Sequence, residues 1–115
     1  MKKMYVLAVA LMSSAVSMNV FAGADLVAGK ALSVTCAACH GADFVKSPLG
    51  DTYPTLAGQH RDYIEHALTA YQRGDAANGR SNPIMGAQAK LLSKQDIKNV
   101  AAYLSSLPGP LVVSK

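Results

Sequence analysis

The chain has 115 residues, half of them hydrophobic, and a formal charge of +4. That length suits one small domain with a modest apolar core. Its positive charges are scattered rather than packed into a stripe, and it has no tryptophan, so neither a nucleic-acid footprint nor a base-stacking platform is present.

The N-terminus reads Met1-Lys2-Lys3, continues through an apolar run from Met4 to Met12 and reaches Val20-Phe21-Ala22 before Gly23. This pattern predicts a secretory signal peptide, residues 1–22, cleaved after Ala22. A bilayer span needs about 20 apolar residues, and Ser13, Ser14, Ser17 and Asn19 interrupt the stretch. No cysteine follows the cleavage region to take a lipid. Residues 23–115 then form the exported domain, with nine Lys and Arg against seven Asp and Glu, or +2. The destination is the periplasm, an oxidising compartment in which two cysteines form a disulfide by default.

Three helices are predicted in the exported part. The first covers about Leu26 to Ala38, with Asp25 as N-cap and Ala28, Leu32, Thr35 and Cys36 at helical spacing. The second covers about Arg61 to Arg73. It places Tyr63, Ile64, Ala67, Leu68 and Tyr71 on one stripe, with Arg61, Asp62, Glu65, His66 and Gln72 on the wet side, and ends at Gly74. The third starts after Ser93, with Asp96 completing a weak capping box; Ile97, Val100, Ala101 and Leu104 form its apolar face, and Pro108 closes it. Between them lie two loops read as irregular, Gly41 to Gln59 and Gly74 to Leu92. Loops this long in so small a domain have a functional reason, and wrapping a cofactor is one. No strand alternation and no repeat is visible, so the fold class is all-α.

Cys36-Ala37-Ala38-Cys39-His40 matches C-x-x-C-H, the attachment sequence of a c-type haem. Positions i, i+3 and i+4 share a helix face, so both thiols can join the two vinyl groups of one macrocycle while the His40 imidazole reaches the iron. Two other readings stand beside it. A redox thiol pair calls for a helix N-terminus and a βαβ setting, whereas this pair ends a helix. A structural zinc site calls for four ligands, and only His60 and His66 remain to supply one.

Electron carriers often hold iron between His and Met. Met85 is the one methionine beyond residue 22, and Ser81-Asn82-Pro83-Ile84-Met85-Gly86 is a constrained turn that can hold its sulfur beside a flat ring. The bland alternative makes Met85 a filler of a core gap. His66 reads as a solvated side chain, and His60 as a remote alternative ligand if the second helix extends back to it. Lys94 and Lys98 lie four apart on the third helix, as a docking pair for an acidic partner or as a wet face.

Over residues 24–108 the chain resembles a bacterial class I c-type cytochrome of the small monohaem kind. Gly29-Lys30-Ala31-Leu32 is similar to the family's first helix, whose glycine lets the last helix cross closely, here around Tyr103 and Leu104. Pro54-Thr55-Leu56-Ala57-Gly58-Gln59 resembles the P-x-L-x-G-Q segment, and Asn82-Pro83-Ile84-Met85 the methionine loop. Two positions depart from the pattern: Ser33 stands where relatives commonly carry an aromatic in the helix crossing, and Phe44 where they often have glycine.

The resemblance implies three main helices and long loops wrapped around one haem c, covalent through Cys36 and Cys39, with iron held by His40 and Met85. It further implies that the Pro54 carbonyl accepts the Nδ1 proton of His40 and that Leu56 packs on the haem face. A site closed by two protein ligands implies a one-electron carrier, not an enzyme, working between a donor and an acceptor redox protein of a respiratory or oxidoreductase chain. The exported chain is then a monomer or a subunit of a larger oxidoreductase, with no membrane insertion. The competing functions are a haem enzyme or gas sensor with Met85 off the iron, and a C-x-x-C thiol–disulfide oxidoreductase.

Overall fold

A computed structural model describes residues 23–111; the expected signal peptide lies outside them. Helix α1 spans Leu26–His40, α2 Arg61–Arg73, α3 Pro83–Ala89 and α4 Lys94–Ser106. No strand occurs among the described residues. Helix α4 packs against both α1 and α2, and α3 packs against α2.

Local chemistry sets each helix end. Asp25 caps α1 by accepting from the amides of Val27 at 2.9 Å and Ala28 at 3.1 Å. The helix runs past the expected stop at Ala38 to include His40, and ends at Gly41, whose φ of 95° admits no Cβ comfortably. At α4 the capping box is complete rather than weak: Ser93 Oγ accepts from the Asp96 amide at 3.0 Å, and Asp96 accepts from the Ser93 amide at 2.9 Å.

The segment Gly74 to Leu92 is not irregular throughout, because it contains α3. Asn82 caps that helix by accepting from Ile84 and Met85, at 3.0 and 2.9 Å, and Pro83 stands at its first position. An Asn-Pro pair is a start signal for a helix as well as for a turn. The result puts Met85 on a helix, in its first turn.

The buried face of α1 is Gly29, Ser33 and His40, small or polar residues, while Thr35 is exposed and Val27 and Val34 face solvent. Leu32 and Cys36 of the expected stripe pack partly buried against the core, while the side toward α4 carries small residues because α4 approaches too closely for large side chains. A Cβ on Gly29 would lie 2.7 Å from the Asn99 carbonyl carbon and 2.9 Å from Tyr103 Cβ, and closer still to the Asn99 oxygen. The crossing therefore centres on Asn99 and Tyr103 rather than on Tyr103 and Leu104. Ser33 fits the narrow gap by donating its hydroxyl to Lys30 O at 2.8 Å.

Phe44 supplies an aromatic from the first loop. It is buried at φ 58° and meets Tyr103 edge to face, with ring centroids 6.4 Å apart. Its carbonyl accepts from the amides of Leu56 at 2.8 Å and Ala57 at 3.0 Å. Ile64, Leu68, Ile97, Val100, Ala101 and Leu104 join Phe44 in the core.

Candidate functional site

The site begins at the C-terminal end of α1. His40 is 5 % exposed, and its Nδ1 lies 2.9 Å from the carbonyl oxygen of Pro54. A carbonyl oxygen only accepts, so Nδ1 carries the proton, and in the neutral ring Nε2 is the nitrogen that keeps a lone pair. Tyr53 meets the imidazole edge to face at 6.4 Å. The His40 ring is thus held on two sides before any ligand is considered.

Cys36 and Cys39 sit one turn apart on the same helix, both half-buried and with free thiols. Burial pushes the Cys36 thiol up, partly offset by a backbone hydrogen bond, with Cys39 adding to the rise. A redox nucleophile needs the opposite shift. No group of three His, Cys, Asp or Glu side chains capable of holding a metal occurs among the described residues.

The loop after α1 is tied back by its own polar groups. Asp43 accepts from the amides of Val45 at 2.9 Å and Lys46 at 3.3 Å, which lowers its carboxyl below the ordinary range. Ser47 donates to the Cys39 carbonyl, and Thr55 donates to Val45 O at 2.7 Å. These bonds deliver Pro54 to His40 and bring Leu56 against the core.

Leu56, Cys36 and Met85 all pack, partly buried, on the margin of the same apolar core. They arrive from the first loop, α1 and α3 respectively. One imidazole with a free Nε2, one neutral thioether and two thiols at i and i+3 form a donor set that fits haem c. His60 and His66 are elsewhere in character: both are exposed, and with Asp62 and Tyr63 they line an open surface depression. The alternative-ligand reading of His60 fails because His60 is the N-cap of α2, outside the helix, and does not continue its apolar stripe.

Sequence reading missed a second set of residues around Met85. Gln72, expected on the wet face of α2, is half-buried and donates from Nε2 to the carbonyls of Ala89 at 2.8 Å and Leu92 at 2.7 Å. Arg80 places its guanidinium over the rings of Tyr63 and Tyr71, at 5.8 and 5.6 Å. Tyr63, expected on the buried stripe, is 47 % exposed. The signal for Gln72 was available in principle: it follows Tyr71 and Leu68 around the helix edge, where a long polar side chain can reach a neighbouring backbone.

An all-helical domain with a C-x-x-C-H helix end and a methionine helix facing one core defines a class I c-type cytochrome. The cytochrome c family model matches residues 26–108, and the chain belongs to that family. It is 40 % identical over 82 residues to cytochrome c-554(548) of Halomonas halodenitrificans, covering 71 % of this chain and 95 % of that protein. It is likewise 40 % identical over 89 residues to a cytochrome c-553 of Helicobacter pylori, covering 77 % and 84 %. The reduced recombinant cytochrome c4 from Pseudomonas stutzeri superposes with a TM-score of 0.64 at 33 % identity. That match covers 76 % of this chain but 47 % of the larger cytochrome c4. Membership implies covalently bound haem c with iron, with Cys36 and Cys39 as the motif's cysteines, and electron transfer as the function.

Proposed function

We propose that residues 23–115 act in the periplasm, after loss of residues 1–22, as a non-enzymatic one-electron carrier whose iron is held by His40 Nε2 and Met85 Sδ. The observation that carries this reading is the hydrogen bond from His40 to the Pro54 carbonyl, 2.9 Å long. It leaves one nitrogen of a buried ring available and fixes where that nitrogen points, the arrangement a metal-bound imidazole requires. When bound, haem c supplies a single iron that alternates between ferrous and ferric states.

The remaining work falls to the chain. His40 and Met85 would be the two protein ligands that hold the iron, and a site closed by both would offer no place to a small substrate. The neutral sulfur of Met85 favours the ferrous state and raises the potential. Leu56 would offer the group apolar surface, and the loop bonds of Asp43, Ser47 and Thr55 hold the segment that carries Pro54 and so keep His40 oriented. No helix among the described residues is long and apolar enough to cross a membrane.

The partners are redox proteins, a donor and an acceptor. A relative 34 % identical over 79 residues is the cytochrome subunit of sulfide dehydrogenase from Chlorobaculum tepidum, so a place as a subunit of an oxidoreductase stands beside that of a mobile carrier. Two haem propionates offset the +2 of the exported chain, and reduction by the physiological donor should depend weakly on salt.

Carbon monoxide tests the ligand set. Reduced holoprotein should leave carbon monoxide unbound, and Met85→Ala should bind it and show a lower potential. Ready binding by the unsubstituted protein would instead assign Met85 to a structural role.

A further inference from the structure

We infer that Arg80 and Gln72 are positioning residues for Met85: together they pin the methionine segment to α2 on both sides of the sulfur and set how readily it leaves the iron. This rests on Met85 being an axial ligand. It adds the device that keeps it there.

The need for such a device follows from α3 itself. Seven residues make a helix too short to be stable alone, so contacts from outside must fix its position. Before Met85, the Arg80 amide donates to the Ala70 carbonyl at 2.9 Å, and the Arg80 guanidinium lies over Tyr63 and Tyr71, both on α2. Cation–π contacts of this type favour one placement of the chain that carries the cation. Directly after Met85, buried Gly86 approaches the Tyr71 backbone closely enough that a Cβ would meet the Tyr71 oxygen at 3.6 Å. Further on, Gln72 Nε2 donates to the Ala89 carbonyl, which also accepts from the Leu92 amide at 3.1 Å, and to the Leu92 carbonyl, so one side chain ties the end of α3 and its exit turn to α2. Residues 71 and 72 of α2 thus reach both ends of the segment.

The predicted consequence is an equilibrium between a closed state, with sulfur on iron, and a minor open state that an added ligand can trap. Apparent affinity for such a ligand is its intrinsic affinity scaled by the open fraction. Loosening either anchor raises that fraction. Removal of the Arg80 guanidinium should raise it about tenfold, the size expected for two cation–π contacts at a largely exposed site acting together.

Imidazole titration of the ferric holoprotein, followed by its absorption spectrum, reads the open fraction directly. Arg80→Ala and Gln72→Leu should each tighten imidazole binding about tenfold. Tyr63→Leu, which leaves the charge in place, should shift it in the same direction. Arg73→Ala, an exposed neighbour on α2, should leave it unchanged. Guanidinium unfolding of each variant separates positioning from general support: a lowered unfolding midpoint with unchanged imidazole affinity in Arg80→Ala, Gln72→Leu and Tyr63→Leu overturns the inference. Met85→Ala is the reference that isolates the underlying reading. If it binds imidazole no more tightly than the unsubstituted protein, Met85 is not a ligand and the proposed function fails; if it binds far more tightly while the anchor variants do not, only the positioning role fails.

Discussion

Gly29→Ala adds one methyl group at the tightest point of the fold. The new carbon would stand 2.7 Å from the Asn99 carbonyl carbon and 2.9 Å from Tyr103 Cβ, against an ordinary contact of 3.4 Å or more. The first shortfall is 0.7 Å, and it is set by backbone, which cannot rotate away as a long side chain would. Relief therefore requires α1 and α4 to separate. Separation would also stretch the bond from the Asp25 amide to Asn99 Oδ1, now 2.9 Å. Overpacking of this kind costs about 1–3 kcal/mol, sometimes more. Alanine returns up to about 1 kcal/mol through its better helix propensity. With no compliant atom in the contact, the upper part of the range applies, and a net loss of about 2 kcal/mol is expected. Small domains have about 5–15 kcal/mol in total. Guanidinium unfolding of haem-loaded protein, followed by far-ultraviolet circular dichroism, should show a clearly lower midpoint with an unchanged slope. A variant as stable as the parent, or more so, would refute the close-crossing argument, since helix propensity alone favours alanine.

Phe44→Ala should cost about 3–5 kcal/mol by emptying a buried aromatic site, while Phe44→Gly should be less harmful by about 1 kcal/mol because glycine accepts the left-handed backbone; paired denaturation curves check the order. The Asp43 carboxyl ionises more easily in the folded chain than in the unfolded one, so its contribution is complete above the unfolded range and disappears as pH falls through the lower folded value. The stability difference between parent and Asp43→Asn should accordingly shrink in that acidic window and stay constant at neutral pH, as acid titrations of both would reveal. Replacing Cys36 and Cys39 together by alanine removes the covalent attachment, and residues 23–115 should lose most of their helical circular dichroism, because a domain this small cannot bury enough surface alone.

The parts of the fold that were legible in the sequence share one property: their chemistry is local. Asp25, Ser93 and Gly74 mark helix ends through side chains or backbone freedom that act within a few residues, and Ile97, Val100 and Leu104 repeat at the helical period. The C-x-x-C-H run announced itself the same way. What escaped depends on contacts between distant segments. The buried face of α1 consists of Gly29 and Ser33 because α4 lies so close, a fact written at Asn99 rather than in α1. Phe44 is the aromatic of the helix crossing, brought there by a loop whose path depends on bonds to residues 56 and 57. Gln72 looked like a surface residue until α3 placed Ala89 and Leu92 within its reach. Helix α3 itself was hidden by Asn82-Pro83, a pair that opens a turn and a helix alike.

The most direct test of the account is the proton spectrum of the ferrous, diamagnetic holoprotein after export. Met85 is the one methionine beyond residue 22, so a single three-proton methyl signal reports on its sulfur. Axial ligation puts that methyl over the face of the macrocycle, and ring current should move the signal far upfield, outside the envelope of all other methyl groups, and abolish it in Met85→Ala. A methionine methyl at its ordinary position in fully haem-loaded protein would contradict the account.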